Sequence, residues 1–327
     1  MLGRSIYLSH PSIPNLNKDD YCFISLHMPE DFGSDFKTRA LDLISKIDAK
    51  IIADISPAGI KELGYDSFAD LAKDKLVWGL RPDYGLSTDE ILEASQYTNI
   101  VINASVIDND LVLALYDYGS QIYAMHNFYP RPETGLDCEY CKECTDYLHN
   151  FDAQVFAFIS GDADLRGPIK QGLPSVEAFR DLSPYIQYLF LKKLLDIDIV
   201  FVGDISLDPK TEKLIQSTEK DGVIRIPAKV PNDLYDKVFT IRPDSNEIVS
   251  RLNSDRGIKV SPKNNIERAV GTITMDNDKY LRYSGEIQIV KYELAPDERV
   301  NVIGHILDEY LPIIDVCSRN SKIMFVV

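Results

Sequence analysis

The first two thirds of the chain alternate short apolar runs with amphipathic stretches, and this rhythm constrains the fold more than any other feature. The runs are SIYLS (5–9), CFISL (22–26), KIIADIS (50–56), LVWGL (76–80), NIVINAS (99–105), QIYAM (121–125), QVFAFIS (154–160) and DIVFVGD (198–204). Between most of them lie segments of helical periodicity, at 35–49, 67–74, 87–97, 108–119 and 175–196. Strands that are apolar on both faces, each followed by a helix, form a parallel sheet covered by helices. Eight such units predict a closed (β/α)8 barrel of TIM type rather than an open sheet.

Local signals agree. Ser87 with Glu90 three positions on reads as a capping box, and Gly119 closes the helix before strand six. The first crossover, HPSIPNLNKDDY, holds two prolines and no helical pattern, so it reads as a loop. After Asp204 comes a last barrel helix (207–220), and then strands dominate, at 222–230, 237–243, 271–276, 286–294, 301–306 and 322–327. The expected organisation is a barrel over 1–220 and a small, mainly antiparallel β domain over 221–327.

Composition narrows the function. The net charge of −16 argues against nucleic acid or an anionic membrane as partner, since both reward clustered Lys and Arg. The N-terminal segment lacks the apolar core of a secretory signal, and no run is long enough to span a bilayer. Five cysteines, an odd number, fit a reducing compartment and a cytoplasmic protein. Cys138, Cys141 and Cys144 share a helical rhythm without a fourth ligand at suitable spacing, so they read as small buried hydrophobes rather than a metal site. No dinucleotide fingerprint, P-loop or nucleophile elbow is present, and no cofactor or metal is expected.

Barrels of this type carry their reacting groups at the C-terminal ends of the strands. Those ends offer Glu30, Asp54, Arg81, Asp83, Asn103, Asp162, Asp164, Arg166 and Asp204. The richest segment, HNFYPRPETG (126–135), supplies His126, Asn127, Arg131 and Glu133 between two prolines. Carboxylates converging on one mouth suit glycoside hydrolysis, in which one carboxyl protonates the leaving oxygen and another stabilises or attacks the oxocarbenium-like centre. Asp54, inside the apolar run IIADISP, needs a partner or a task there. Asp204 in FVGD is similar, with capping of the following helix as its alternative role, while each other acidic residue, taken alone, reads more readily as a cap or a solvated charge than as a reacting group. No strand ends in a lysine, which argues against a Schiff-base aldolase.

The motifs GRSIYLS (3–9), ISLHMPED (24–31), ADISP (53–57), GLRPDYG (79–85), INAS (102–105), HNFYPRPETGL (126–136), LRGPIKQGLPSVEAFR (165–180), FVGD (201–204), TMDNDKYLRYSGEIQI (274–289) and NVIGHI (301–306) together resemble the bacterial 6-phospho-N-acetylmuramidase family. The resemblance implies a β/α barrel followed by a cyclophilin-like β domain. It also implies hydrolysis of 6-phospho-N-acetylmuramyl-N-acetylglucosamine, delivered and phosphorylated by a sugar phosphotransferase system during peptidoglycan recovery. By the same resemblance, Asp54, Arg81, Asp83, Asn103, His126, Asn127, Arg131, Glu133, Arg166 and Asp204 line the mouth, while Tyr280, Arg282 and Tyr283 contact the sugar phosphate. Glu133 is then the expected general acid, Asp204 or Asp54 the second carboxylate, and Arg166 with Arg282 the phosphate ligands. The chain departs from the family at its shortened first crossover, at Pro82 and at Gln171. The shortened crossover keeps open a phosphosugar-binding or regulatory protein without turnover.

Overall fold

The computed structural model describes residues 2–11, 13–27 and 32–327, divided into two compact units, Met1–Pro209 and Lys210–Val327. In the first unit, among the described residues, eight parallel strands close into a barrel in sequence order. They are β1 (Leu2–Ile6), β2 (Tyr21–Ser25), β3 (Lys50–Ile55), β4 (Gly79–Pro82), β5 (Asn99–Asn103), β6 (Tyr123–Met125), β7 (Gln154–Ile159) and β8 (Ile199–Val202), and β8 pairs back onto β1. The helices around them are α1 (Phe36–Ser45), α2 (Pro57–Glu62), α3 (Phe68–Lys73), α4 (Thr88–Ser95), α5 (Asn109–Asp117), α6 (Cys138–His149) and α7 (Pro184–Lys193).

Helix starts follow from side chains that satisfy otherwise unpaired backbone N–H groups. Ser56 and Ser67 accept from Gly59 and Asp70 at the heads of α2 and α3, and Asp108 and Asp137 open α5 and α6 in the same way. The capping box of Ser87 and Glu90 opens α4. Gly119 follows α5 at φ +77°, a conformation that costs a side chain with a Cβ more than it costs glycine. No helix forms among the described residues between β1 and β2, as the two prolines predict.

The barrel interior is aromatic. Tyr21, Phe23, Phe156, Phe158 and Phe201 pack with Ile52, Val101, Met125 and Ile199, and Trp78, Tyr123 and Phe128 close over them. Edge-to-face pairs such as Phe23 with Phe158, 5.4 Å between centroids, fill the axis. A Cβ on Gly3 would lie 2.5 Å from the Phe201 ring, so β1 gives up a side chain to admit it. Strand side chains alternate with a period of two. Tyr21, Phe23 and Ser25 therefore share one face of β2, and Ile52 and Asp54 share the inward face of β3. The register sets Ser25 beside Asp54 and Asp54 beside Arg81. Three neighbouring strands thus end in a polar layer on top of an apolar one.

Helix α8 (Pro209–Asp221) starts on the last residue of the first unit and otherwise belongs to the second. A seven-stranded sheet follows, built from β9 (Ile224–Lys229), β10 (Val238–Thr240), β11 (Val249–Arg251), β12 (Thr272–Asp276), β13 (Ile287–Val290), β14 (Val300–Ile306) and β15 (Lys322–Val326). The order is β10-β15-β9-β14-β12-β13-β11, antiparallel except where β15 runs parallel to β9. The mainly antiparallel character matches expectation. Strand β11, three residues on the sheet edge with the sequence VSR, carries too little apolar pattern to be seen beforehand.

Candidate active site

A cavity of about 1150 Å³ opens at the carboxyl ends of the barrel strands. Its wall combines His27, Asp54, Arg81 and Asp83 with the segment Met125–Pro130 after β6, the loop Ala163–Leu173 after β7, and Ile205 after β8. The size suits a ligand of one or two sugar rings, by comparison with the roughly 300–1,000 Å³ of ordinary small-molecule pockets.

Asp54 is the hub. Its side chain is only 7% exposed, yet both oxygens are engaged. Arg81 Nη1 donates to Oδ1 at 2.8 Å, and His27 Nδ1 lies 3.0 Å from Oδ2. Ser25 Oγ is 3.1 Å from the same His27 nitrogen. Arg81 reaches on through Nη2 to Asn127 Oδ1 at 2.5 Å, and the Asn127 N–H donates to Ser105 Oγ. Burial alone would raise the Asp54 carboxyl, but Arg81 and His27 outweigh it and hold the group below the usual carboxylate range. Its hydrogen bond to Asp54 raises His27 above an ordinary imidazole, against the opposing effect of burial. The result is a charged, fully bonded carboxylate with an imidazole beside it.

Two staples shape the opposite wall. Asp204 accepts three backbone N–H bonds, from Gly161 (2.8 Å), Arg166 (2.9 Å) and Leu173 (3.0 Å), and thereby ties both ends of the β7 loop to β8. Burial nevertheless raises its carboxyl above the usual range. This loop holds the Arg166 guanidinium 4.2 Å above the Tyr7 ring and 5.7 Å from that of Phe128. Glu177 and Arg180 form the second staple. The Glu177 carboxylate takes the N–H groups of Glu133 and Gly135, while Arg180 donates to the carbonyls of Tyr129, Arg131, Gln171 and Gly172. The Arg180 bonds and the backbone N–H groups hold Glu177 down at about 2.

The structure therefore sorts the expected site residues. Asp54, Arg81, Asp83, His126, Asn127 and Arg166 line the cavity; Glu133, Asp204, Asn103 and Arg131 do not. Glu133 is exposed and left-handed at φ +69°, its N–H committed to Glu177. Asn103 uses its side-chain oxygen to accept from Ser105 and Val106 in the turn after β5. His126 is buried, and burial followed by Arg81 pushes it down to about 3. The Thr145 hydroxyl donates to the Cys141 carbonyl, so it can only accept from His126 Nε2, which must carry the proton. His126 Nδ1 is left as a buried acceptor without a partner among the described residues.

Glu30 lies outside the described residues. In the second unit, Tyr280, Arg282 and Tyr283 occupy the 3₁₀ segment Asp278–Tyr283. There Tyr280 bonds Asp297, and Arg282 bonds and stacks on Tyr283. Cys141 and Cys144 are buried on α6, and no cluster of three metal-ligating side chains occurs among the described residues. Sequence reasoning passed over His27, Lys170, Glu177 and Arg180. Only His27 offered a signal, its place two residues past the end of β2.

These observations define a β/α-barrel protein with a polar, cation-bearing cavity at the carboxyl ends of its strands. Models of the two parts of one family match it in tandem: 6-phospho-N-acetylmuramidase, N-terminal, over 2–217, and 6-phospho-N-acetylmuramidase, C-terminal, over 225–326. The chain belongs to the 6-phospho-N-acetylmuramidase family, whose name implies a glycosidase. A crystal structure of a conserved Enterococcus faecalis protein of unknown function is similar, with 29% identity, a TM-score of 0.83, and coverage of 100% of this chain and 96% of that one. An uncharacterized B. cereus protein shares the fold at 20% identity and a TM-score of 0.76, covering 100% of this chain and 99% of that one. No curated protein matches.

Proposed function

We propose that the protein hydrolyses the glycosidic bond of 6-phospho-N-acetylmuramyl-N-acetylglucosamine or a closely related 6-phosphorylated disaccharide. The observation that carries this reading is a single cavity with the charged Asp54 network on one wall and Arg166 on the other. Lys170 on the same loop adds a second cation, exposed and lining the cavity. A sugar phosphate ester bound by Arg166 and Lys170 gains charge-assisted hydrogen bonds from two cations. The aromatic floor of Phe23, Phe128 and Phe158 offers the apolar face of a sugar ring a surface to rest on.

Asp54, with both oxygens bonded, acts as a fixed negative charge near the reacting centre. A substrate phosphorylated on entry places the reaction in the cytoplasm, in peptidoglycan recovery, and no helix among the described residues is long and apolar enough to cross a membrane. The test is release of alcohol from a chromogenic 6-phospho-N-acetylmuraminide, with the unphosphorylated glycoside as control. Turnover of the phosphorylated compound, abolished by Asp54→Asn, is expected. A ligand-induced rise in melting temperature without product would show instead a phosphosugar-binding protein.

A further inference from the structure

We propose that His27, steered by Asp54, is the catalytic residue that protonates the leaving glycosidic oxygen; this rests on the hydrolase reading above. Geometry selects it. Asp54 cannot hold the proton, because its oxygens already face Arg81 and His27. Asp204 is taken up by three backbone N–H groups, and Glu133 lies off the cavity wall. His27 has Nδ1 against Asp54 and Ser25, while its side chain is 33% exposed and lines the cavity. Its Nε2 has no partner among the described residues. An imidazole fixed by a carboxylate at one nitrogen and open at the other is the arrangement that moves protons in catalytic dyads.

The charged groups facing His27 are Asp54 of β3 and Arg81 and Asp83 at the end of β4. The two carboxylates favour the imidazolium, Arg81 opposes it, and the balance leaves His27 raised, so that it can enter the reaction protonated. The bond from the anomeric carbon to the glycosidic oxygen breaks with its electron pair left on oxygen. That oxygen takes the Nε2 proton and leaves as the alcohol. Water then bonds to the anomeric carbon, and the proton it sheds returns to the neutral imidazole. One water is consumed, and His27 ends as it began.

The experiment compares 2,4-dinitrophenyl and methyl 6-phospho-N-acetylmuraminides, since a dinitrophenolate leaves without a proton and methoxide does not. His27→Gln should lose about 10²–10⁴-fold in kcat/KM on the methyl glycoside and far less on the dinitrophenyl one. It should also lose the basic limb of the pH profile. With the wild type alone, raising the pH through that limb should steepen the dependence of rate on leaving group, which settles the matter even if the variant folds poorly. Equal losses on both substrates, an unchanged basic limb, or a leaving-group dependence unaffected by pH would overturn the role of His27 while the hydrolase reading stands. A wild type that releases neither alcohol removes that reading, and this inference with it.

Discussion

Arg81 Nη1 meets Asp54 Oδ1 at 2.8 Å at the top of adjacent barrel strands, and both side chains are 7% exposed. Breaking a buried pair leaves an uncompensated charge, which typically costs about 3–5 kcal/mol. Arg81→Met should therefore lower stability to urea by that order, and adding Asp54→Asn should recover part of the loss. Because the folded Asp54 carboxyl is lowered, its contribution is fully present above about pH 4 and is lost as the pH falls through the folded value. Urea melts of wild type and Arg81→Met from pH 6 to pH 2 should converge at the acid end.

Asp204→Asn replaces one acceptor oxygen with an NH₂ group, and an amide cannot satisfy all three N–H donors from Gly161, Arg166 and Leu173. A backbone donor left buried costs about 1–3 kcal/mol. The loop then releases Arg166, so KM for the phosphorylated substrate should rise at least severalfold, with a smaller effect on unphosphorylated analogues. A change in kcat alone would point to Asp204 acting in chemistry instead.

Arg180 donates to Glu177 and to carbonyls on both sides of the cavity entrance, with its side chain 7% exposed. Removing it unpins the β6 and β7 loops together. Arg180→Gln should lower the melting temperature by several degrees and speed amide hydrogen exchange at Glu133, Gly135 and Gly172. Glu133→Gln, changing only an exposed side chain, should leave turnover within a fewfold of wild type. A loss of several orders of magnitude there would restore Glu133 as the acid.

In the second unit, burial and then the charges of Glu286 and Asp297 push the Asp276 carboxyl up to about 7. Glu286, held by Arg251 and Arg256, stays below its usual range although burial opposes this. The folded state keeps a proton that the unfolded chain releases near pH 4, so stability falls as the pH rises from there to about 7. Asp276→Asn removes the conflict. It should stabilise the protein by about 2 kcal/mol at pH 8 and by little at pH 4, read from melting temperatures at both.

The sequence showed much of the fold because each barrel strand is a both-faces-buried run bounded by caps and turns, as at Ser87 and Gly119. It also marked Asp54, since a carboxylate among Ile52, Ala53 and Ile55 demands a partner. It could not rank the others. Asp204 stands in a strand end as suggestive as that of Asp54, yet one oxygen set meets backbone N–H groups and the other meets Arg81 and His27.

What the chain's own pattern determined was the barrel, the antiparallel second unit and the strand ends where polar groups collect. These follow from local periodicity, which depends on near neighbours alone. Tertiary structure decided which polar groups face the cavity, because barrel register and loop staples bring together residues such as His27, Arg81 and Asn127 that are far apart in sequence. Electrostatic roles follow from those distances and from burial, and neither is written in the spacing of residues along the chain.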